Sequence, residues 1–316
     1  MLGTIDRCGL GNGFPQAKSG GCIVIAVCLG LLGLSTAAAN ELRWKFKSGE
    51  SYLAKIEQKS EVTSTVAGTP TVMTLETGLE LAWQVKAVDE QGVATIGQRF
   101  KRLTMKLQTP KAGAISYDSA REAKPTGDAK LIAAAVQPLL EAELTLTLTP
   151  RGEIKSVELD EAAQQVVAGL PANNALKTLL STEGQANVLR QTVVVLPEDD
   201  VAPGYEWQRS ADLVTPLGKL NQSTNYKLLE PAAQSPDVAR IESLSQLELE
   251  GVPDAKPRAT TLKDQQQRGL ILFDRASGRL KSAEISQELT TTSMLKDTPL
   301  QVKLVSNLKM TLEPKE

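Results

Sequence analysis

Three observations predict an α+β, β-rich fold: antiparallel twisted sheets, half-barrel-like, arranged as two related modules with a helical insert. Apolar and polar residues alternate strictly over long stretches, a block near residues 128–190 changes to helical spacing, and short turn motifs recur on either side of that block. Alternation is the period of a strand with one buried face, because successive side chains point to opposite sides of the sheet.

The strands follow in order. Leu79, Leu81, Trp83, Val85 and Ala87 alternate with mostly polar neighbours. Asp89-Glu-Gln-Gly92 then supplies turn chemistry, and Val93-Ala-Thr-Ile96 restarts a strand, which predicts a hairpin. Leu103, Met105 and Leu107 continue the pattern, as do Leu144, Leu146 and Leu148. Near the C-terminus Val302, Leu304, Leu308, Met310 and Leu312 share one parity with Ser306, while Lys303, Asn307, Lys309 and Thr311 take the other. These read as antiparallel strands with one wet face. Trp44, Trp83 and Trp207 sit at apolar parities and are expected in the core.

In the interrupting block, Leu131, Ile132, Ala135, Val136, Leu139 and Leu140 form one stripe of a helix begun near Asp128, with Pro138 as a kink. Such a stripe either plugs a sheet or lines a lipid cavity, and Ala133, Ala134 and Ala135 suit either close helix-to-sheet packing, the preferred reading, or an open groove. Asp160 is placed to cap a helix ending at Gly169, Pro171 suits the first turn of a third helix, and a fourth runs from Thr182 to about Arg190.

Across the block there is an echo. Gly49-Glu-Ser-Tyr52 resembles Gly204-Tyr-Glu-Trp207, Ile115-Ser-Tyr-Asp118 resembles Ile271-Leu-Phe-Asp274, and Pro150-Arg-Gly-Glu-Ile-Lys-Ser156 resembles Ala276-Ser-Gly-Arg-Leu-Lys-Ser282. The organisation expected is a signal peptide over 1–39, a first β-rich module over 40–158 with a helix near 128–141, a helical segment over 159–196, and a second β-rich module over 197–316. Glycine turns followed by alternating strands also look alike in any β protein, so the echo alone does not separate duplication from coincidence.

Residues 1–39 have the layout of a secretory leader. Arg7 and Lys18 precede an apolar run from Cys22 to Leu34, and Ser35-Thr-Ala-Ala-Ala39 follows. The run is shorter than the roughly 20 residues that span a bilayer as a helix, so cleavage near Ala39 and export to the periplasm or the medium are expected, with no membrane span left afterwards. Cys28 lies in mid-run behind Val27, which does not suit lipidation.

All three cysteines fall within that leader and the chain has no histidine. The remainder therefore lacks the commonest general base, any reactive thiol, the usual zinc ligands and a disulfide framework. No catalytic, cofactor-binding or metal-ligating residue is assigned, no cofactor is expected, and the protein is read as non-enzymatic. A net charge of −2 with both signs mixed, and 3% aromatic residues, gives no support to a nucleic-acid partner.

Candidate chemistry is sparse. Ser293-Met-Leu-Lys296 and Ser306-Asn-Leu-Lys309 match the spacing of penicillin-recognising enzymes, but the companion motifs are missing and alternation sends Ser306 and Lys309 to opposite faces. Glu198, Asp199, Asp200 and Glu206 form the densest acidic cluster, without the ligand spacing of a calcium loop. It is expected to be a solvated turn. The roles in view are a binding or envelope-assembly component, an apolar-ligand or lipoprotein carrier, and a carboxylate- or calcium-dependent hydrolase; the partner is unknown, an apolar ligand or an envelope protein.

The stretch Leu196-Pro-Glu-Asp-Asp-Val-Ala-Pro-Gly-Tyr-Glu-Trp207, with Leu42-Arg-Trp-Lys-Phe46 and Gly49-Glu-Ser-Tyr52, resembles an uncharacterised family of exported bacterial proteins containing a domain of unknown function. That resemblance implies no activity, cofactor or catalytic residue. Long antiparallel strands with a few helices also look like the half-barrel of periplasmic lipoprotein carriers, a likeness at the level of fold alone.

Overall fold

The computed structural model describes residues 41–315 apart from 111–112, 122–125, 128, 170–180, 216–217, 251–259 and 296–297. The leader and the helix expected at Pro171 lie outside the described residues. Among those described, twelve strands make one unclosed antiparallel sheet. They are β1 Ser51–Val66, β2 Thr69–Val88, β3 Ala94–Thr109, β4 Gly113–Asp118, β5 Glu143–Leu148, β6 Ile154–Leu159, β7 Glu206–Thr215, β8 Gly218–Leu229, β9 Val238–Glu250, β10 Thr261–Asp274, β11 Arg279–Leu295 and β12 Thr298–Pro314. Three helices accompany them: α1 Ala129–Glu141, α2 Glu161–Gly169 and α3 Thr182–Thr192.

The strand order is β6-β5-β3-β2-β1-β12-β11-β10-β9-β8-β7, with β4 also paired to β3. The first and last strands meet at the centre, in register from Tyr52 against Pro314 to Val66 against Leu300. On either side of that junction the chain runs outward through successive hairpins. β4 and β5 together occupy one strand position: β4 pairs with the far half of β3 (Thr104 against Asp118), and β5 with its near half (Arg99 against Glu143). The helix α1 is thus spliced into the middle of a strand position.

Cross-strand register puts one parity of every strand on a common inward face. Trp83 lies opposite Tyr52, Leu81 and Leu312 opposite Ala54, Ile96 opposite Val85, and Leu146 opposite Ile96. Leu228, Ile241, Ile271, Ala283 and Met310 continue the row through the second half. The sheet curls far enough that Leu146 of β5 and Leu228 of β8, with seven strands between them, belong to one buried cluster. The opposite parity is wet and carries cross-strand ion pairs, among them Lys55–Glu313 at 2.7 Å and Lys303–Glu288 at 2.6 Å.

The local signals act as the sequence suggests. Asp89 accepts from the amides of Gln91 and Val93 and closes the β2–β3 turn. Asp160 accepts from the amide of Ala163 at 2.7 Å, capping α2, and its other oxygen accepts from the amide of Glu143. The α1 helix runs continuously through Pro138 and packs Val136 against Leu103 and Tyr117. Ser181 caps α3 through the amide of Gly184.

The echo holds best at its third motif. The β5–β6 turn and the β10–β11 turn each carry a glycine at positive φ, Gly152 at 89° and Gly278 at 64°, and both turns grip the same segment. Trp44 N–H donates to Pro150 at 2.7 Å, and Lys45 N–H donates to Gly278 at 2.9 Å. Asp118 and Asp274 end their strands, β4 and β10, and each accepts a backbone amide from the residues that follow, Ala120 and Ser277.

Candidate ligand cavity at the sheet seam

The base of the curl is shut by two strap segments. Leu42, Trp44 and Phe46 of the first, and Val193, Val194, Leu196 and Val201 of the second, are buried in the central cluster with Tyr52, Trp83 and Phe273. Trp44 stacks on Phe46 and meets Phe273 edge-on at 5.2 Å. Arg43 holds the straps together, donating to the carbonyls of Pro197 and Glu198. The indole N–H of Trp44 donates to the carbonyl of Val194 at 3.1 Å. All three stretches that carry the family resemblance therefore place residues in the floor of the curl, the third through Tyr52.

At one side, the edge strands β6 and β7 do not pair, and α3 packs against both. Arg209 of β7 reaches Glu153 of the β5–β6 turn at 3.3 Å across this seam. Trp207 N–H donates to the carbonyl of Val195 at 2.9 Å, and its ring stacks on Tyr226 at 5.3 Å and on Tyr205 at 6.2 Å. Trp44 and Trp83 are core residues at 3% and 1% exposure, as expected, whereas Trp207 is half-buried and leads from the exposed Tyr205 to the interior.

Behind the seam lies a cavity of about 480 Å³, within the range of about 300–1,000 Å³ usual for small-molecule sites. Its inward-face wall has two levels. Ile271, Ala283 and Ile285 form an apolar side, and above them stand Gln222, Thr224, Tyr226, Ser243, Ser245 and Gln267. Alternation predicts aliphatic residues at these parities, yet polar ones occupy them. Gln222, Thr224, Ser243 and Ser245 are all buried. Thr224 and Ser245, paired in register, share a hydroxyl hydrogen bond of 2.8 Å. Burial pushes the Tyr226 phenol up to about 12, with the Thr224 hydroxyl acting the other way, so Tyr226 is a neutral hydroxyl at physiological pH.

The polar belt continues onto β1 and β12, where it is self-contained. Ser60 and Ser306 bond each other at 3.0 Å, and the Gln58 amide donates to Ser306 at 2.9 Å. The charged residues around the cavity come mainly from α3 and the seam, and each has a partner. Glu183 accepts from Arg190 at 2.7 Å, Glu153 faces Arg209, and Asp212 accepts from Asn221 and meets Lys219 at 3.0 Å, which holds its carboxyl below the ordinary value.

The residues singled out from sequence fall elsewhere. Glu198, Asp199, Asp200 and Glu206 are exposed, with Glu198 facing Arg151 and Glu206 bonded to Lys227. Ser306 is buried inward while Lys309 pairs outward with Glu284 at 3.0 Å, the separation of faces that alternation implies; Lys296 lies outside the described residues. Sequence reasoning missed the belt on β8, β9 and β10. The available signal was the serine, threonine and glutamine run at otherwise apolar parity. No helix among the described residues is long and apolar enough to cross a membrane.

The fold and its interior define an antiparallel β protein with a closed floor and an internal cavity. The chain belongs to the family of unknown function DUF6263, whose model matches residues 91–280. No curated protein matches. Among solved structures, a lipovitellin structure concerned with lipid–protein interactions is similar with a TM-score of 0.48 at 12% identity, covering 85% of this chain and 25% of that one. The chain thus spans about a quarter of that protein's length. An outer membrane channel from Pseudomonas putida F1 has a TM-score of 0.25 at 8% identity, covering 85% and 97%, and DynF from the dynemicin biosynthesis pathway of Micromonospora chersina has 0.21 at 9%, covering 87% and 86%. Likeness at this level assigns no function.

Proposed function

We propose that this is an exported, non-enzymatic binding protein that encloses a largely apolar ligand in the cavity behind the β6–β7 seam. The observation that carries the reading is the internal space itself: the floor is densely packed, yet the sheet above it leaves about 480 Å³ between Ile271, Ala283 and Ile285 and the seam helix. Burying an apolar ligand against such a wall yields about 25 cal/mol per Å² removed from water. The hydrolase alternative is less well supported, because Glu153, Glu183 and Asp212 each face a cation instead of pairing with one another as acid and base. Export rests on the layout of residues 1–39.

Native mass spectrometry of untagged protein from its own cells, followed by solvent extraction, tests the reading. A stoichiometric co-purifying apolar molecule is the expected result. Ala283→Phe, which places a ring in the cavity wall, is expected to abolish it while leaving the circular dichroism spectrum intact. Ligand-free protein, or retention by Ala283→Phe, would sink the carrier role. The same spectrum reads the mature N-terminus, expected at or near Asn40.

A further inference from the structure

The belt above the apolar wall says more about the ligand than its hydrophobicity. Strand interiors on an inward face normally bury aliphatic groups, since a buried polar group without a partner costs free energy. On β1 and β12 that cost is met internally, by the bonds among Gln58, Ser60 and Ser306. On β8 and β9 it is met only in part. Thr224 bonds both Ser245 and the Tyr226 phenol, so among these three hydroxyls two hydrogens are used, and one hydrogen and several lone pairs remain. Gly269 stands opposite Ser243, and a Cβ there would lie 2.5 Å from the Ser243 Oγ, so glycine leaves room for that hydroxyl in the rotamer it adopts. Glycine in a strand interior weakens the strand and marks a close approach.

The charges lining the site point the same way. Three carboxylates, Glu153, Glu183 and Asp212, stand against two guanidiniums, Arg190 and Arg209, which already face carboxylates. With Asp212 paired to Lys219 as well, a free carboxylate or phosphate entering here would find these cations already facing carboxylates, and its desolvation would go uncompensated. An uncharged linkage would meet hydroxyls and amides that both donate and accept. The neutral Tyr226 phenol adds one more such group.

We infer that the ligand is a single-chain amphiphile whose polar group is uncharged, an ester, amide or alcohol, held by Thr224, Ser243 and Ser245 with its chain against Ile271 and Ile285. This rests on the binding role proposed above. The volume suits one chain and its linkage, as for a drug-sized molecule.

The test uses delipidated mature protein and isothermal titration at pH 8 with three probes of equal chain length: a monoacylglycerol, the free fatty acid and the lysophosphatidylglycerol. The monoacylglycerol is expected to bind at least tenfold more tightly than either anion. In the double variant Thr224→Val, Ser245→Ala its affinity is expected to fall about tenfold, the loss of one or two hydrogen bonds, with fatty-acid affinity unchanged. Should that variant not fold, Ser243→Ala serves, with a several-fold loss expected. Equal or tighter binding of either anion, or a folded variant with unchanged monoacylglycerol affinity, would overturn the inference while leaving the binding role standing. No binding of any probe would overturn both.

Discussion

Substituting Gly152 by alanine interrogates the packed floor directly. Gly152 sits at φ 89° in the β5–β6 turn, and a Cβ there would lie 2.3 Å from the Val194 carbonyl oxygen and 2.6 Å from the Trp44 indole nitrogen. The left-handed backbone alone costs a non-glycine residue about 1–2 kcal/mol. The clash adds more, because neither neighbour is a flexible tip: one is backbone, and the other belongs to a ring buried at 3% exposure. Relief requires the two straps to separate, breaking the 3.1 Å bond from Trp44 to Val194 and leaving a buried N–H unsatisfied, at about 1–3 kcal/mol. The sum is about 2–5 kcal/mol, read by urea unfolding with circular dichroism and tryptophan fluorescence. Gly49→Ala is the control, since Gly49 has φ 88° and a Cβ there would meet nothing within 4 Å. It should lose only the backbone contribution. Equal losses in the two variants would refute the strap-against-turn packing, and Trp44→Phe should be strongly non-additive with Gly152→Ala.

Trp207→Ala should destabilise by about 2–3 kcal/mol, below the 3–5 kcal/mol of a fully buried aromatic, because the ring is half-exposed yet stacked and hydrogen-bonded; a neutral result in thermal melts would remove it from the seam. Asp160→Ala should cost about 1–2 kcal/mol, since the carboxylate caps α2 and holds the Glu143 amide, and Asp160→Asn should recover only part of it, because its single oxygen can keep the cap while its NH2 then faces the Glu143 N–H. Lys86 and then Arg99 hold the Glu143 carboxyl below its ordinary 4.5, so its contribution is complete above that value and is lost as pH falls through the depressed one. The melting-temperature gap between wild type and Glu143→Gln should accordingly be constant above about pH 5 and shrink on acidification; a gap that widens in acid would contradict the sign. Protein stripped of its co-purified ligand should melt lower than protein as isolated, and return on adding the extract back.

The strands were legible because most have one buried face, and burial writes a period of two into the chain; Leu144, Leu146 and Leu148 are all at or below 3% exposure. Asp160 and Ser181 mark helix starts by chemistry that acts over three residues, and this too can be read locally. The pairing of β1 with β12 has no local signal, since it joins residues more than 230 positions apart through generic ladder bonds. For the same reason the splitting of one strand position into β4 and β5 was not foreseen. The motif at 196–207 stood out, but its acidic residues drew attention to chemistry, whereas its buried members, Leu196 and Val201, carry its structural role. The cavity was the least visible feature, because Thr224, Ser243 and Ser245 look like wet-face residues until register places Thr224 opposite Ser245, and Ser243 between Tyr226 and Gly269, on the inward side.

Which side of the sheet is charged bears on what the fold is built to hold. A barrel crossing a bilayer presents an apolar band outward. Here the outward positions of the central strands carry Lys55, Lys59, Lys303 and Lys309, paired with Glu313, Glu76, Glu288 and Glu284. The apolar surface is turned inward, as enclosure requires. An unclosed sheet also leaves two edges, each a row of unpaired backbone groups that invites association. The α3 helix and the 193–201 strap lie along that gap, with Leu196 N–H donating to Arg151 at 2.7 Å and Gly204 N–H to Leu228 at 2.7 Å. Sealing the gap with a helix instead of a thirteenth strand has a consequence for binding. A strand would have closed the ladder with hydrogen bonds along its length, whereas α3 is held by the buried side chains of Ala186 and Leu189, so the wall that brings Glu183 and Arg190 to the cavity lining is seated by apolar packing instead of a hydrogen-bond ladder.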